Sequence, residues 1–322
     1  MKLHHLFIIA ALMAAVSCSN QASDNKLRLV YWNIQNGMWD GQTDDYQRFT
    51  DWVAAQKPDV CVWCEAQPIY KTGTYDKLDN IDEWRADSLL TEFWLRLGAR
   101  YGHKYVFTGG HRDNYPQVIT SRLPIENVER ITGNPDTLVA HGAGWARIKV
   151  AGKDINIVTL HTWPHAYGYN VPAKDRDRSK AAFEGDKFRR TEMEYICKHT
   201  VLVSPDAGNG YWMMMGDFNS RSRVDNWVYR YADDDTKLLV HDYIMSETPY
   251  LDIIHEKNPD NFYSSVWGKA RIDFVYCTPA LAGCVVQADI ITDDYTRPVK
   301  SQAVPSFREP SDHRPLIVDF EF

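Results

Sequence analysis

The tightest constraint on the fold is the stretch Tyr211-Trp212-Met213-Met214-Met215-Gly216-Asp217-Phe218-Asn219. Five apolar residues lead through a glycine to two polar side chains one residue apart. A short apolar run bounded by Gly reads as a buried strand. Side chains alternate across a strand, so Asp217 and Asn219 are expected on one face with Phe218 opposite. A carboxylate and an amide at the end of a buried strand can hold a water or a metal-bound oxygen. The same residues, with Ser220, also suit a turn. The rest of the chain has to separate these readings.

Other strands of the same kind are predicted along the chain. Residues 27–34 form a first strand, and a helix over 44–56 follows, stopped at Pro58. Residues 60–64 form a second buried strand ending on Glu65, and 81–100 carry a second helical pattern. From His103 onward short strands dominate, with a hairpin closing through 151–154 and ending at His161. A helix is expected through roughly 179–201, a weak one around 224–231, and an irregular stretch to 265. Strands over 271–277, 285–291 and 316–320 complete the pattern. Strands with occasional helices, and no strict βαβ alternation, favour two packed sheets with helices outside. No linker or repeat divides residues 24–322, which read as a single domain.

With 322 residues, 44% hydrophobic and 25% charged, the chain can bury a large core. Its formal charge is −7, and no basic stripe is visible, which gives no compositional support for tight nucleic-acid binding. Residues 1–23 read as an export signal and the start of a tether. Lys2 precedes an apolar run over 6–16 too short to span a membrane, and Ala15-Val16-Ser17-Cys18 resembles a bacterial lipoprotein signal in which Cys18 is lipidated. The expectation is export and attachment to a bacterial membrane, periplasmic or cell-surface, with secretion as the alternative. The remaining cysteines, Cys61, Cys64, Cys197, Cys277 and Cys284, are odd in number and lack a framework spacing. Cys61 and Cys64 lie three apart in a strand and so face opposite ways, which favours packed thiols over a metal or redox pair.

Five strand ends deliver polar groups of one chemical type. Asn33 ends the first, Glu65 the second, His161 the hairpin, and Asp217 with Asn219 the central run, while Asp312-His313 precedes the last strand. Each alone has a bland explanation as a solvated strand end, a core histidine or a turn. Together they gather at one rim of a sheet, where sites are commonly built.

These residues carry a resemblance. Asn33 in Tyr31-Trp32-Asn33-Ile34, Glu65 after Pro58-Asp59, Thr159-Leu160-His161-Thr162, Gly216-Asp217-Phe218-Asn219, Arg271-Ile272-Asp273 and Ser311-Asp312-His313-Arg314-Pro315 occur in the order of the endonuclease/exonuclease/phosphatase superfamily. The resemblance implies a four-layer α-β-β-α sandwich of the deoxyribonuclease-I type, with two packed mixed sheets flanked by helices. It also implies Mg²⁺- or Mn²⁺-dependent hydrolysis of a phosphodiester or phosphomonoester. In that reading Glu65, Asn33 and Asp312 hold the cation, Asn33 through its amide oxygen or a metal-bound water. Asp217 and Asn219 orient and deprotonate water, and His313, oriented by Asp273, stabilises the phosphate. His161 binds the opposite side of the phosphate, without an identifiable acidic partner. The general base is either Asp217 or His313.

Trp163 and Trp267 lie in aromatic loops expected to border the site, and Arg221 and Arg271 are candidate phosphate ligands. A small-molecule or lipid-headgroup ester is favoured over nucleic acid, and no protein partner is inferable. Two alternatives stand beside this: a secreted nuclease, and a non-catalytic surface module that binds phosphorylated or glycan ligands.

Overall fold

The computed structural model describes residues 25–322, so the expected signal, tether start and Cys18 lie outside the described residues. Strands are numbered in chain order. The first four are β1 (Lys26–Asn33), β2 (Val60–Cys64), β3 (Tyr105–Thr108) and β4 (Val118–Ser121). Next come β5 (Glu126–Gly133), β6 (Leu138–Val150), β7 (Lys153–His161), β8 (Tyr211–Asp217) and β9 (Leu251–Asp252). The last are β10 (Asp273–Cys277), β11 (Val285–Ile290), β12 (Val299–Lys300), β13 (Arg308–Glu309) and β14 (Leu316–Glu321).

They assemble into two six-stranded mixed sheets, ordered β11-β14-β1-β2-β4-β3 and β5-β6-β7-β8-β10-β9, and β12 pairs with β13 in a separate ribbon. The sheets pack face to face with helices outside, which is the four-layer sandwich. The cause is visible in β1. Leu27, Leu29 and Tyr31 face the second sheet and meet Ile155, Ile157, Met213 and Met215, while Val30 and Trp32 point outward under helices. Both faces are buried, so the strand reads as a nearly continuous apolar run. Each such side chain contributes about 1.5–3 kcal/mol on leaving water.

The outer face of the first sheet is covered by α1 (Gln47–Gln56) and α2 (Asp87–Arg100), through Phe49, Val53, Leu90, Trp94 and Leu97. On the second sheet, α3 (Glu184–Lys198) and α4 (Leu239–Glu247) cover Val158, Leu160, Met214, Phe274 and Tyr276. Cys61 and Cys64 belong to opposite faces of the first sheet, and the five cysteines of the described residues are free thiols.

Helix boundaries shift from the sequence reading for backbone reasons. α1 starts at Gln47 because Asp45 and Tyr46 take left-handed φ values of 50° and 62°. The 81–100 pattern is interrupted at Ala86, which is extended at ψ 123°, and the 179–201 pattern breaks at Phe183, φ 56°. α4 falls where an irregular stretch was expected. Val240, Tyr243 and Ile244 give it one buried face over only nine residues.

Register positions the rim. β1 and β2 run parallel with Asn33 beside Cys64, so Glu65 emerges just past Asn33. β7 and β8 run parallel with His161 opposite Asp217, and β10 runs antiparallel to β8 with Asp273 opposite Asp217. Four strand C-termini and one strand start thus meet at one edge of the sandwich.

Candidate active site

Asp217 is the centre of this rim. Its Oδ1 accepts from the Asn219 backbone N–H at 2.9 Å and its Oδ2 from Asn33 Nδ2 at 3.1 Å. The Nε2 atoms of His161 and His313 lie 3.8 and 3.7 Å from that same Oδ2. Burial, reinforced by the negative charge of Asp273, pushes its carboxyl up to about 7, with His313 opposing the rise. Phe218 turns into the core behind it, as alternation requires. Asn219 lies beyond the strand end at φ 45°, and its Nδ2 is fixed by Thr162 O at 3.2 Å. Asn219 itself lines the central cavity.

His313 is held from behind. Its Nδ1–H donates to Asp273 Oδ2 at 2.8 Å, and Asp273 also accepts from Tyr31 Oη at 2.8 Å and Ser265 Oγ at 2.7 Å. Burial works against the imidazolium, but Asp273, Asp312 and Asp217 outweigh it, and the His313 pKa is raised well above the ordinary value. Nε2 therefore faces Asp217 and the cavity. His161 is the opposite case: burial first, then the nearby His141 and His313, lower its pKa well below normal, so its ring is neutral.

Glu65 sits just after β2 at φ 54°. Its Oε2 accepts from the Asn36 backbone N–H at 3.0 Å and its Oε1 from Asn33 Nδ2 at 3.4 Å. Burial and the charge of Asp312 raise its pKa. The Asp312 carboxylate, 43% exposed, accepts no hydrogen bond among the described residues. Asn33 differs from the expectation that it offers its amide oxygen. That oxygen accepts from the Gln35 backbone N–H at 3.1 Å, so the NH₂ end faces Glu65 and Asp217 and orients both carboxylates.

The oxygen donors fit a hard divalent cation. Glu65 and Asp312 repel one another, a repulsion that His313, the Asn36 N–H and the Asn33 amide only partly offset, and carboxylate oxygen is the donor such cations prefer. Asp217, Asp273 and His313 also converge, their donor atoms lying within 4.8 Å of one another. Asp273 is fully engaged by three donors, however, which leaves Glu65, Asp312 and Asp217 as the available oxygens.

Glu65, His161, Asp217, Asn219, Asp312 and His313 line an open cavity of about 510 Å³ together with Trp267 and Arg308. Trp267 is 59% exposed, its backbone N–H donates to Asp312 O at 2.7 Å, and the Arg308 guanidinium lies 4.1 Å over its ring. A second cavity of about 480 Å³ continues from Glu65, His161 and Asp312 onto Tyr70, Tyr115, Trp163 and His165. Both aromatic loops expected at the site do border it. Arg221 lines a third recess beside Asn219.

Arg271 requires a correction. It is 2% exposed, with Nε on Asp225 at 2.8 Å and its other nitrogens on Asp252 at 2.9 and 2.7 Å. It is a structural ion triad beneath the rim, out of reach of any ligand. Sequence reasoning also passed over Arg308, which lies in a segment with no motif. It passed over His141, which bonds Asp113 at 2.6 Å and stacks 4.3 Å from His161. His141 sits near the start of the long strand β6, away from the strand ends that flagged the other residues. Glu192, pushed up to about 7 by burial, accepts from the backbone N–H groups of Ala140 and Trp163 and so ties these two neighbouring strand ends together.

The chain is similar in structure to an AP endonuclease from Archaeoglobus fulgidus, at TM-score 0.60 and 16% identity over 92% of this chain and 100% of that one. It is also similar to D. rerio TDP2 complexed with a single-strand DNA product, at TM-score 0.55 and 12% identity, covering 92% and 99%. The human Nocturnin catalytic domain with bound sulfate matches at TM-score 0.54 and 13% identity, covering 92% and 94%. At these identities the likeness establishes the fold. No curated protein matches the chain by sequence. The family model described as Endonuclease/Exonuclease/phosphatase family matches residues 30–313, nearly the whole described chain, and with that extent of match the chain belongs to the endonuclease/exonuclease/phosphatase family.

Proposed function

We propose that this protein is a divalent-cation-dependent phosphoesterase that uses water to cleave a phosphodiester or phosphomonoester. The observation that carries the reading is the placement of Asp217 Oδ2 within 3.8 Å of both histidine Nε2 atoms, beside Glu65 and Asp312. Glu65 and Asp312, with Asp217 adjacent, would hold Mg²⁺ or Mn²⁺, which when bound neutralises phosphate charge and favours ionised water. His313, charged and oriented by Asp273, donates from Nε2 to a phosphate oxygen and meets the charge that builds in the transition state. Asp217, with its carboxyl near neutrality, accepts the proton of the attacking water, and Asn219 Oδ1 positions that water. Neutral His161 donates a hydrogen bond to the far side of the phosphate.

A small-molecule or lipid-headgroup ester is the preferred substrate. The walls of the cavity are aromatic, with Trp267, Trp163, Tyr70 and Tyr115, and the chain carries −7 formal charge. We further propose export and lipid attachment through Cys18, on the strength of Lys2 and the apolar run that ends there. A panel of nucleic acids, nucleotides, sugar and inositol phosphates and sphingomyelin, with Mg²⁺ and with chelator, tests the activity. Preferred turnover of polymeric DNA would replace the small-ester reading with a nuclease. Turnover indifferent to chelator would remove the cation. Labelled fatty acid should enter the wild type and not Cys18→Ser.

A further inference from the structure

Next to the reaction centre lies a recess of about 310 Å³ whose charge is opposite to that of the chain. It shares Pro164 and Asn219 with the central cavity, so the two adjoin. Its charged lining is Lys180, Arg189, Arg221 and Lys237, against a single carboxylate, Asp186. Asp186 is already spent: it bonds Arg189 and accepts from Thr236 Oγ1 at 2.7 Å. Arg189 is spent as well, donating to Trp163 O at 2.8 Å and His165 O at 3.0 Å. What remains is a group of three cations, in a protein that carries −7 overall.

These three are weakly satisfied. Lys180 faces Asp177 at 3.0 Å, but the Asp177 side chain is 97% exposed, and Lys237 faces Asp235 at 3.4 Å. Water screens the first pair, and the second is long, so neither holds its lysine firmly. Arg221 has no ion pair among the described residues and only lies 5.9 Å over the Tyr229 ring. Arg28 pairs with Asp319, Arg223 with Asp242 and Arg271 with two aspartates, whereas Arg221, like Arg308 across the central cavity, has no carboxylate among the described residues. Arg221 is also held in place. Its backbone N–H and the Ser220 hydroxyl both donate to Lys237 O, at 3.1 and 2.8 Å, which fastens Lys237 to the turn carrying Asn219. Clustered cations repel unless an anion sits among them, and an unpaired guanidinium offers a fork that matches phosphate or carboxylate oxygens.

We propose that Lys180, Arg221 and Lys237 form a subsite for a second anionic group of the substrate, adjoining the scissile phosphate. This rests on the phosphoesterase reading for its purpose, though not for its binding chemistry. The substrate class is thereby narrowed to a small ester bearing two negative centres, the second a phosphate or a carboxylate.

Binding is tested without catalysis. Inorganic phosphate and, separately, malonate are titrated calorimetrically into cation-free full-length protein, and into the folded variants Arg221→Glu, Lys237→Glu and His313→Gln. The expected result is a binding site in wild type and His313→Gln that weakens at least tenfold in both charge reversals. The tighter of the two probes identifies the second group. Absence of binding in wild type, or binding kept by both reversals and lost in His313→Gln, overturns the proposal. Kinetics then compares an ester carrying a second phosphate with the same ester lacking it. A preference of tenfold or more should collapse toward unity in Lys237→Glu. An unchanged preference overturns the substrate class, whereas absence of turnover in the wild type with anion binding intact counts against the phosphoesterase reading and leaves the subsite standing.

Discussion

His313 donates from Nδ1 to Asp273 Oδ2 at 2.8 Å, and Tyr31 and Ser265 complete the coordination of that carboxylate. Three donors on one buried carboxylate fix its orientation, and that orientation fixes which ring nitrogen of His313 carries the inner proton. The acid–base behaviour of the site therefore depends on a residue that no substrate touches.

Asp273→Asn should keep the shape of this contact and lose its charge. The amide can present its NH₂ to Nδ1, which stabilises the wrong tautomer and withdraws support from the imidazolium. In the serine protease triad the equivalent change costs about 10⁴ in kcat. A fall of about 10³–10⁴ in kcat is expected here, with a melting temperature close to that of the wild type. A loss under tenfold on the best substrate of the panel would mean that Asp273 does not tune His313.

Glu65→Gln tests the cation. Glu65 accepts from Asn36 and Asn33, and its pKa is raised by burial and Asp312. An amide of the same shape relieves that repulsion but offers one weaker oxygen. Since changes to residues merely supporting metal ligands cost 10–100-fold, loss of a ligand should lower activity at least about 100-fold and move the Mg²⁺ midpoint upward. A Mg²⁺ titration of activity, wild type against variant, reads both. An unmoved midpoint would take Glu65 out of the cation site.

The sheets and the rim were legible because the same local rule repeats at each strand: an apolar run buried on both faces, then one polar side chain. Asn33, Glu65, His161 and Asp217 all follow it. Registry between strands was not legible, since it depends on contacts far apart in sequence, yet it is registry that sets Asp273 opposite Asp217. Arg271 misled for a related reason. Its partners Asp225 and Asp252 lie 46 and 19 residues away, and an arginine beside an active-site motif looks like a ligand until its carboxylates are found. The anionic subsite was hidden likewise, because Lys180, Arg221 and Lys237 come from three segments with no basic run in any of them. The orientation of Asn33 depended on one backbone N–H, that of Gln35, which sequence patterning does not register.

Arg271→Met should test stability rather than binding. The change leaves Asp225 and Asp252 buried and facing each other without their cation. Removing one partner of a buried ion pair costs about 3–5 kcal/mol. For a domain of this size that corresponds to a drop of roughly 5–8 °C in melting temperature. Adding Asp252→Asn to the variant should restore part of the loss. A variant that melts like the wild type but binds substrate poorly would return Arg271 to the list of phosphate ligands.

His103 makes folding depend on pH at a point away from the site. Its ring is buried, with Nε2 at 2.9 Å from Pro58 O and Nδ1 at 2.9 Å from Thr120 Oγ1, so the neutral form is satisfied at both nitrogens. Burial lowers its pKa from 6.5 to about 4. Between those values the unfolded chain takes up a proton that the folded chain refuses, and folding weakens as pH falls. The contribution is fully present above about pH 6.5 and is lost progressively toward pH 4. From pH 7 to pH 5 it amounts to about 2 kcal/mol. His161 and His241, also lowered by burial, add losses of the same sign. Urea unfolding of wild type and His103→Gln at pH 7 and pH 5 isolates the one residue. The variant is expected to be less stable at pH 7, and the gap should narrow by about 2 kcal/mol at pH 5. A gap independent of pH would show that His103 titrates alike in both states.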